Sequence, residues 1–145
     1  MIQDNLKVTG ALKVQIFDKT GALKEERELK NLVVTTGKTF IAARMVGTPT
    51  AMSNMAIGAG STAAAAGDTA LGAELGRVAL TSATSATTIV TYVATFGAGV
   101  GTGAVTEAGI FNAGSAGTML CRTVFSVINK GADDAMSVTW QITVS

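Results

Sequence analysis

The chain has 145 residues, of which 48% are hydrophobic and 14% charged, with a net charge of +1 and a mean hydropathy of +0.41. That is the length of one domain with ample material for a core, and the charged fraction is well below the roughly 25% of ordinary domains. Near-neutrality excludes the basic surplus of a nucleic-acid binder, the absence of histidine removes the commonest general base and metal ligand, and one cysteine excludes intramolecular disulfides and cysteine zinc clusters.

The N-terminal residues Met1 to Gly10 include Asp4 and Lys7 and no long apolar run, so no signal peptide is expected. Leu12, Val14 and Ile16 then alternate with Lys13 and Gln15, Asp18-Lys19-Thr20-Gly21 reads as a turn, and Leu23–Lys30 returns. This pattern predicts a charged, solvent-facing hairpin within residues 1–34. A short helix is expected within 35–49, from Lys38 to Val46, with Thr36 as N-cap and Phe40, Ile41 and Met45 on its buried side. Gly47-Thr48-Pro49 stops it. Residues 50–145 form the main strand region, so the whole chain, 1–145, reads as a single β-rich domain.

Met55–Ile57 is a short apolar run before Gly58, and Ala63–Ala66 is too short for a stable helix of its own. The uncharged stretches Met45–Gly67 and Val78–Thr106 are built of Ala, Gly, Ser and Thr, not the dense Leu, Ile and Phe of a membrane span. No membrane association is expected, and the thiol is expected to stay reduced in a cytoplasm.

Strand follows strand from residue 75. Thr87–Phe96, Ala104–Phe111, Thr118–Ile128 and Ala135–Val144 are separated by glycine-containing connections. The last alternates cleanly, with Met136, Val138, Trp140, Ile142 and Val144 on one side and Ser137, Thr139, Gln141 and Thr143 on the other. Such alternation marks a half-buried antiparallel strand. Short connections without helical spacers predict an all-β fold, an antiparallel β-sandwich with one short helix.

Three segments mimic ligand-binding motifs. Thr36-Gly37-Lys38-Thr39 resembles the end of a phosphate loop, but Leu32 stands where the first glycine is required. Ile57-Gly58-Ala59-Gly60-Ser61-Thr62-Ala63 and Gly99-Val100-Gly101-Thr102-Gly103 mimic dinucleotide turns, but neither is followed by a helix of a βαβ unit. All three read as helix starts or glycine turns. Cys121 has no histidine to activate it and reads as a small core residue. No catalytic residue, cofactor or metal is therefore expected, and the chain is read as non-enzymatic.

The charges are uneven: residues 1–44 hold 8 of the 11 basic and 5 of the 10 acidic side chains. The rest of the chain holds only Asp68, Glu74, Arg77, Glu107, Arg122, Lys130, Asp133 and Asp134. A surface so poor in charge suggests coverage by other subunits, the alternative being a surface of Thr, Ser and Gly that stays solvated. Glu74, Arg77, Glu107 and Arg122 lie in apolar or small-residue surroundings, where a carboxylate is costly unless paired or exposed. Glu107 is expected to form a structural ion pair with Arg77 or Arg122. The other reading, Glu74 and Glu107 as the two carboxylates of a glycan-cleaving site, lacks the aromatic platforms usual in such clefts.

From Ala56 to Val144 the order of motifs is Ile57-Gly58-Ala59-Gly60, Thr69-Ala70-Leu71-Gly72-Ala73-Glu74-Leu75-Gly76-Arg77, Thr106-Glu107-Ala108-Gly109-Ile110-Phe111-Asn112, Gly117-Thr118-Met119-Leu120, and a closing strand with Trp140. This order resembles the N-terminal, tail-binding domain of phage tail-collar fibres, in which an acid stands where this chain has Asn112. The resemblance implies a structural protein of a tailed-phage virion, a tail-fibre or tail-appendage component assembled in the bacterial cytoplasm. The alternatives it leaves are a capsid decoration protein and, more remotely, a glycan-binding or glycan-cleaving domain. It implies a homo-oligomer, a trimer ahead of a dimer or ring, with other tail or capsid proteins, and the host cell surface, as further partners. Family fibres continue into shafts; with its last strand ending near Ser145, this chain is expected to be an anchoring module or short appendage.

Overall fold

The computed structural model describes residues 6–145; Asp4 and the start of the N-terminal segment lie outside them. The chain forms β1 (Val8–Phe17), β2 (Leu23–Val33), α1 (Thr35–Arg44), β3 (Asn54–Gly58), β4 (Glu74–Ala79), β5 (Ser82–Ala86), β6 (Ile89–Phe96), β7 (Gly103–Phe111), β8 (Met119–Lys130) and β9 (Ala135–Val144). The strands lie in the order β4-β3-β7-β8-β2-β1-β9-β6-β5, and every pair is antiparallel. The fold is thus mostly β, an antiparallel sheet curled into a half-barrel with one short helix. β2 is bonded to β1 on one side and to β8 on the other, so the strand order runs continuously from β4 to β5.

That join is narrow. Only Leu32 with Arg122 and Val33 with Cys121 are in register between β2 and β8. Beyond them side chains bridge the seam. Arg27 donates to the carbonyls of Ser126 (2.6 Å) and Val127 (2.9 Å), the Thr123 hydroxyl donates to Lys30 O (2.8 Å), and Lys24 pairs with Asp134 (2.9 Å). The charges of the N-terminal hairpin therefore serve partly to close the sheet, although its apolar positions Leu12, Val14 and Ile16 are buried.

Curling brings the inner faces of both halves into one core. Leu12, Val14 and Ile16 of β1 join Met136, Val138, Trp140 and Ile142 of β9, Phe96 of β6, Met55 and Ile57 of β3, and Ile110 of β7. Val144, at the end of β9, is half-buried. Trp140 keeps its indole N–H satisfied by donating to Asn31 Oδ1 (2.9 Å), as a buried indole requires. A second, smaller cluster of Val34, Ala56, Phe111 and Met119 packs with Leu71 from the β3–β4 connection.

The helix departs from expectation at both ends. It spans Thr35–Arg44, Val34 is the N-cap residue with no side-chain cap bond, and the Thr36 hydroxyl instead donates to Met119 O (3.0 Å). Gly37 and Phe40 are its buried residues, Ile41 is half-buried, and Met45 is exposed. The reason is close approach: a side chain at Gly37 would overlap the Leu120 carbonyl, so the helix sits on β8 through its first turn. No helix among the described residues is long and apolar enough to cross a membrane.

Candidate functional site

Strand alternation alone would not carry Glu107 to where it sits. The β7–β8 register shifts between Val105 and Glu107, and Val105 and Ala108 both enter the main core. A bulge of this kind reverses the facing of the residues that follow. Glu107 is thereby turned toward the β3–β4 connection and is fully buried.

Both carboxylate oxygens are saturated there. Oε2 accepts from the backbone amides of Gly60 (2.6 Å) and Ala73 (2.8 Å). Oε1 accepts from the Gly72 amide (2.8 Å) and from Arg122 Nε (3.1 Å) and Nη2 (3.0 Å). The guanidinium then reaches outward, donating through Nη1 to Asp68 Oδ2 (2.8 Å) and through Nη2 to Thr62 O (3.1 Å). The Thr106 hydroxyl adds a bond to Gly60 O (2.7 Å). Every one of Gly60, Thr62, Asp68, Gly72 and Ala73 belongs to the β3–β4 connection. The cluster is a clamp that holds this connection against β7 and β8.

Close backbone approach explains the glycines. A Cβ at Gly60 would overlap Glu107 Oε2, and one at Gly58 would lie 2.6 Å from the same oxygen. Burial pushes the Glu107 carboxyl up, but the amides of Ala73 and Gly72, the Arg122 guanidinium and the Gly60 amide outweigh it and hold its pKa below the ordinary value. Asp68 is also held low, first by its bond from the Ala65 amide and, against the opposing effect of burial, by Arg122.

Arg77 is placed differently. Its Nη2 donates to Glu74 Oε1 (2.7 Å), and its Nη1 donates to the carbonyls of Ala113 (3.0 Å) and Ala116 (2.8 Å). Its guanidinium lies 3.8 Å from the centroid of the Phe111 ring, a cation–π geometry. Arg77 thus ties β4 to the β7–β8 connection. Each carboxylate of the sequence-predicted set is committed to a different arginine, Glu107 to Arg122 and Glu74 to Arg77. Asn112 accepts from the Thr118 amide (2.7 Å) and donates to Thr50 O (3.2 Å); an aspartate could not make the second bond.

Sequence reasoning did not find the amides of Gly60, Gly72 and Ala73, nor Asp68 and Thr62. The one available signal was the glycine spacing on either side of Ala63–Ala66. Elsewhere, Lys130 is buried and donates to Gly97 O (2.9 Å) and Asp134 O (2.7 Å), joining two connections at one end of the sheet. Cys121 is buried in the core and its thiol is pushed up by that burial. A concavity of about 530 Å³ lies against β1, β2 and β9 and is lined by Lys13, Gln15, Glu28, Thr139 and Gln141 among others. None of its lining residues belongs to the clamp. Among the described residues no group of three or more acidic or cysteine side chains is disposed to hold a metal ion. Comparison of the chain with protein-family models, curated proteins and solved structures gives no significant match.

Proposed function

We propose that this chain is a non-enzymatic structural subunit of a tailed-phage virion, a tail-fibre or tail-appendage component that assembles with copies of itself and with other virion proteins. One observation supports this reading above the others. The segments that carry the resemblance to tail-collar fibres, Ile57–Gly60, Leu71–Arg77 and Thr106–Asn112, converge on one another through the Glu107 clamp and the Arg77–Phe111 stack. The motif residues hold loops in place, Glu107 through backbone amides and Arg122, and Arg77 through Glu74 and two carbonyls, as suits a rigid attachment module whose connections must present a fixed surface.

The test is the position of the protein in intact particles. Gold labelling of virions is expected to mark the tail, with tens of copies per particle by quantitative mass spectrometry. Labelling across the head lattice, with hundreds of copies, would replace the tail assignment by capsid decoration. Absence from purified particles would overturn the virion reading.

A further inference from the structure

The two edges of the curled sheet are not alike. β4 carries the Glu74–Arg77 ion pair, and its Gly76 lies against Gly101 of the β6–β7 connection, where a Cβ would meet Gly101 N at 2.9 Å. Among the described residues β5, at the other edge, pairs only with β6. All five of its residues, Ser82-Ala83-Thr84-Ser85-Ala86, are exposed. It has neither the charges nor the prolines by which soluble proteins protect an edge strand. In an antiparallel ladder every second residue turns its N–H and C=O away from the neighbour, so β5 presents a row of backbone groups to solvent. The registered rows leading inward from it, Thr84-Thr91-Gln141 and Ser82-Val93-Thr139, are also uncharged. The second row first meets charge at Lys13 on β1.

We infer that β5 is a docking edge for β5 of a second copy of this chain, joined antiparallel across a twofold axis at Thr84. A twofold contact must be self-complementary, and this segment is. Pairing about Thr84 sets Ser82 opposite Ala86, Ala83 opposite Ser85 and Thr84 opposite its own copy, so only small uncharged side chains meet. A Thr–Thr cross-strand pair is among the favourable ones. The partner copy extends the sheet and satisfies the free backbone groups of both strands. The contact does not depend on the virion reading, since it is a property of the isolated protein.

Light scattering of the purified chain across the micromolar range is expected to show a mass twice the 14.6 kDa of one chain. Thr84→Lys would set two ammonium groups opposite each other and weaken the dimer by about tenfold or more. Thr84→Cys should give a disulfide-linked dimer under mild oxidation, because the only other cysteine, Cys121, is buried. Ser82→Cys, whose register partner is Ala86, should not link to itself. Circular dichroism confirms that each variant is folded, as expected for substitutions at exposed positions; should Thr84→Lys fail to fold, the Thr84→Cys cross-link decides. A monomer at every concentration, a trimer, or a dimer indifferent to Thr84→Lys with no Thr84→Cys link would each overturn the proposal.

Discussion

Arg122 grips Glu107 diagonally across two paired strands, with its Nε and Nη2 3.1 and 3.0 Å from one carboxylate oxygen, while the residue directly opposite Arg122 in the ladder is Gly109. The pair is buried on both sides, with side-chain exposures of 3% and 0%. Burying such a pair costs desolvation that the ionic attraction alone often does not recover. Here three backbone amides and a second carboxylate, Asp68, complete the hydrogen bonding. The stabilisation therefore resides in the whole cluster and is delivered to the β3–β4 connection, which has few apolar contacts of its own beyond Leu71.

Glu107→Gln should destabilise the fold by about 3–5 kcal/mol, the usual cost of leaving one partner of a buried pair uncompensated. Glutamine offers one acceptor oxygen, and its NH2 would face amide donors already aimed at that position. Urea denaturation would measure the loss, and hydrogen exchange should show the amides of Gly60, Gly72 and Ala73 losing protection first. A variant matching the wild type in both measurements would mean that the clamp contributes nothing to stability.

Gly60→Ala should cost about 1–3 kcal/mol, because the added methyl overlaps the Glu107 carboxylate and forces it off its amides. Gly67→Ala, in the same connection, meets open space and should stay within about 0.5 kcal/mol of wild type. Thermal melts of the two variants side by side separate the close-approach effect from a general intolerance of the loop. Equal melting temperatures for both would refute it.

Stability should fall in acid. Besides Glu107 and Asp68, Asp134 is held below the ordinary carboxylate range by its bond from Lys24 and the Gly131 amide, and Asp18 by bonds from Thr20 and Ala22. Each binds its proton less readily folded than unfolded, so its contribution is present above the unfolded pKa of about 4 and lost as pH falls through the lower folded value. Urea midpoints should be nearly level from neutrality to about pH 5 and then decline. The decline should be shallower in Glu107→Gln; an unchanged slope would remove Glu107 from the titrating set.

Tyr92 offers a probe free of mutation, since it is the only tyrosine. Its burial, with a smaller contribution from Cys121, pushes the phenol up to about 12. Tyrosinate absorbance should appear near that pH in the folded protein and near the model-peptide value of about 10 in urea. With a raised folded pKa, the contribution of Tyr92 to stability is complete below about pH 10 and is lost as pH rises toward 12. Coincident titrations in buffer and in urea would place Tyr92 in contact with solvent.

Much of the strand framework is local in origin and could be read from the chain. Ala135–Val144 follows the period-two pattern so strictly that its bounds and its buried face are both evident. β5 could not be read this way. Its five small residues are all exposed and carry no alternation, and it is a strand because the turn at Thr87 and Thr88 returns it against β6. The helix was displaced for a similar reason: its start is set by how closely Gly37 approaches β8, which no N-cap pattern encodes.

Glu107 could be singled out from sequence alone because a carboxylate among small and apolar residues must find a partner or water. Which partner it takes is a tertiary matter. The antiparallel pairing of β7 with β8 and the bulge after Val105 bring it to Arg122, whereas Arg77, on β4, stands one strand beyond β3 and pairs with Glu74. The amides of Gly60, Gly72 and Ala73 had no signature beyond the glycine spacing around Ala63–Ala66. Every residue except proline carries the same N–H, so a site made of backbone donors is invisible until the fold aims them.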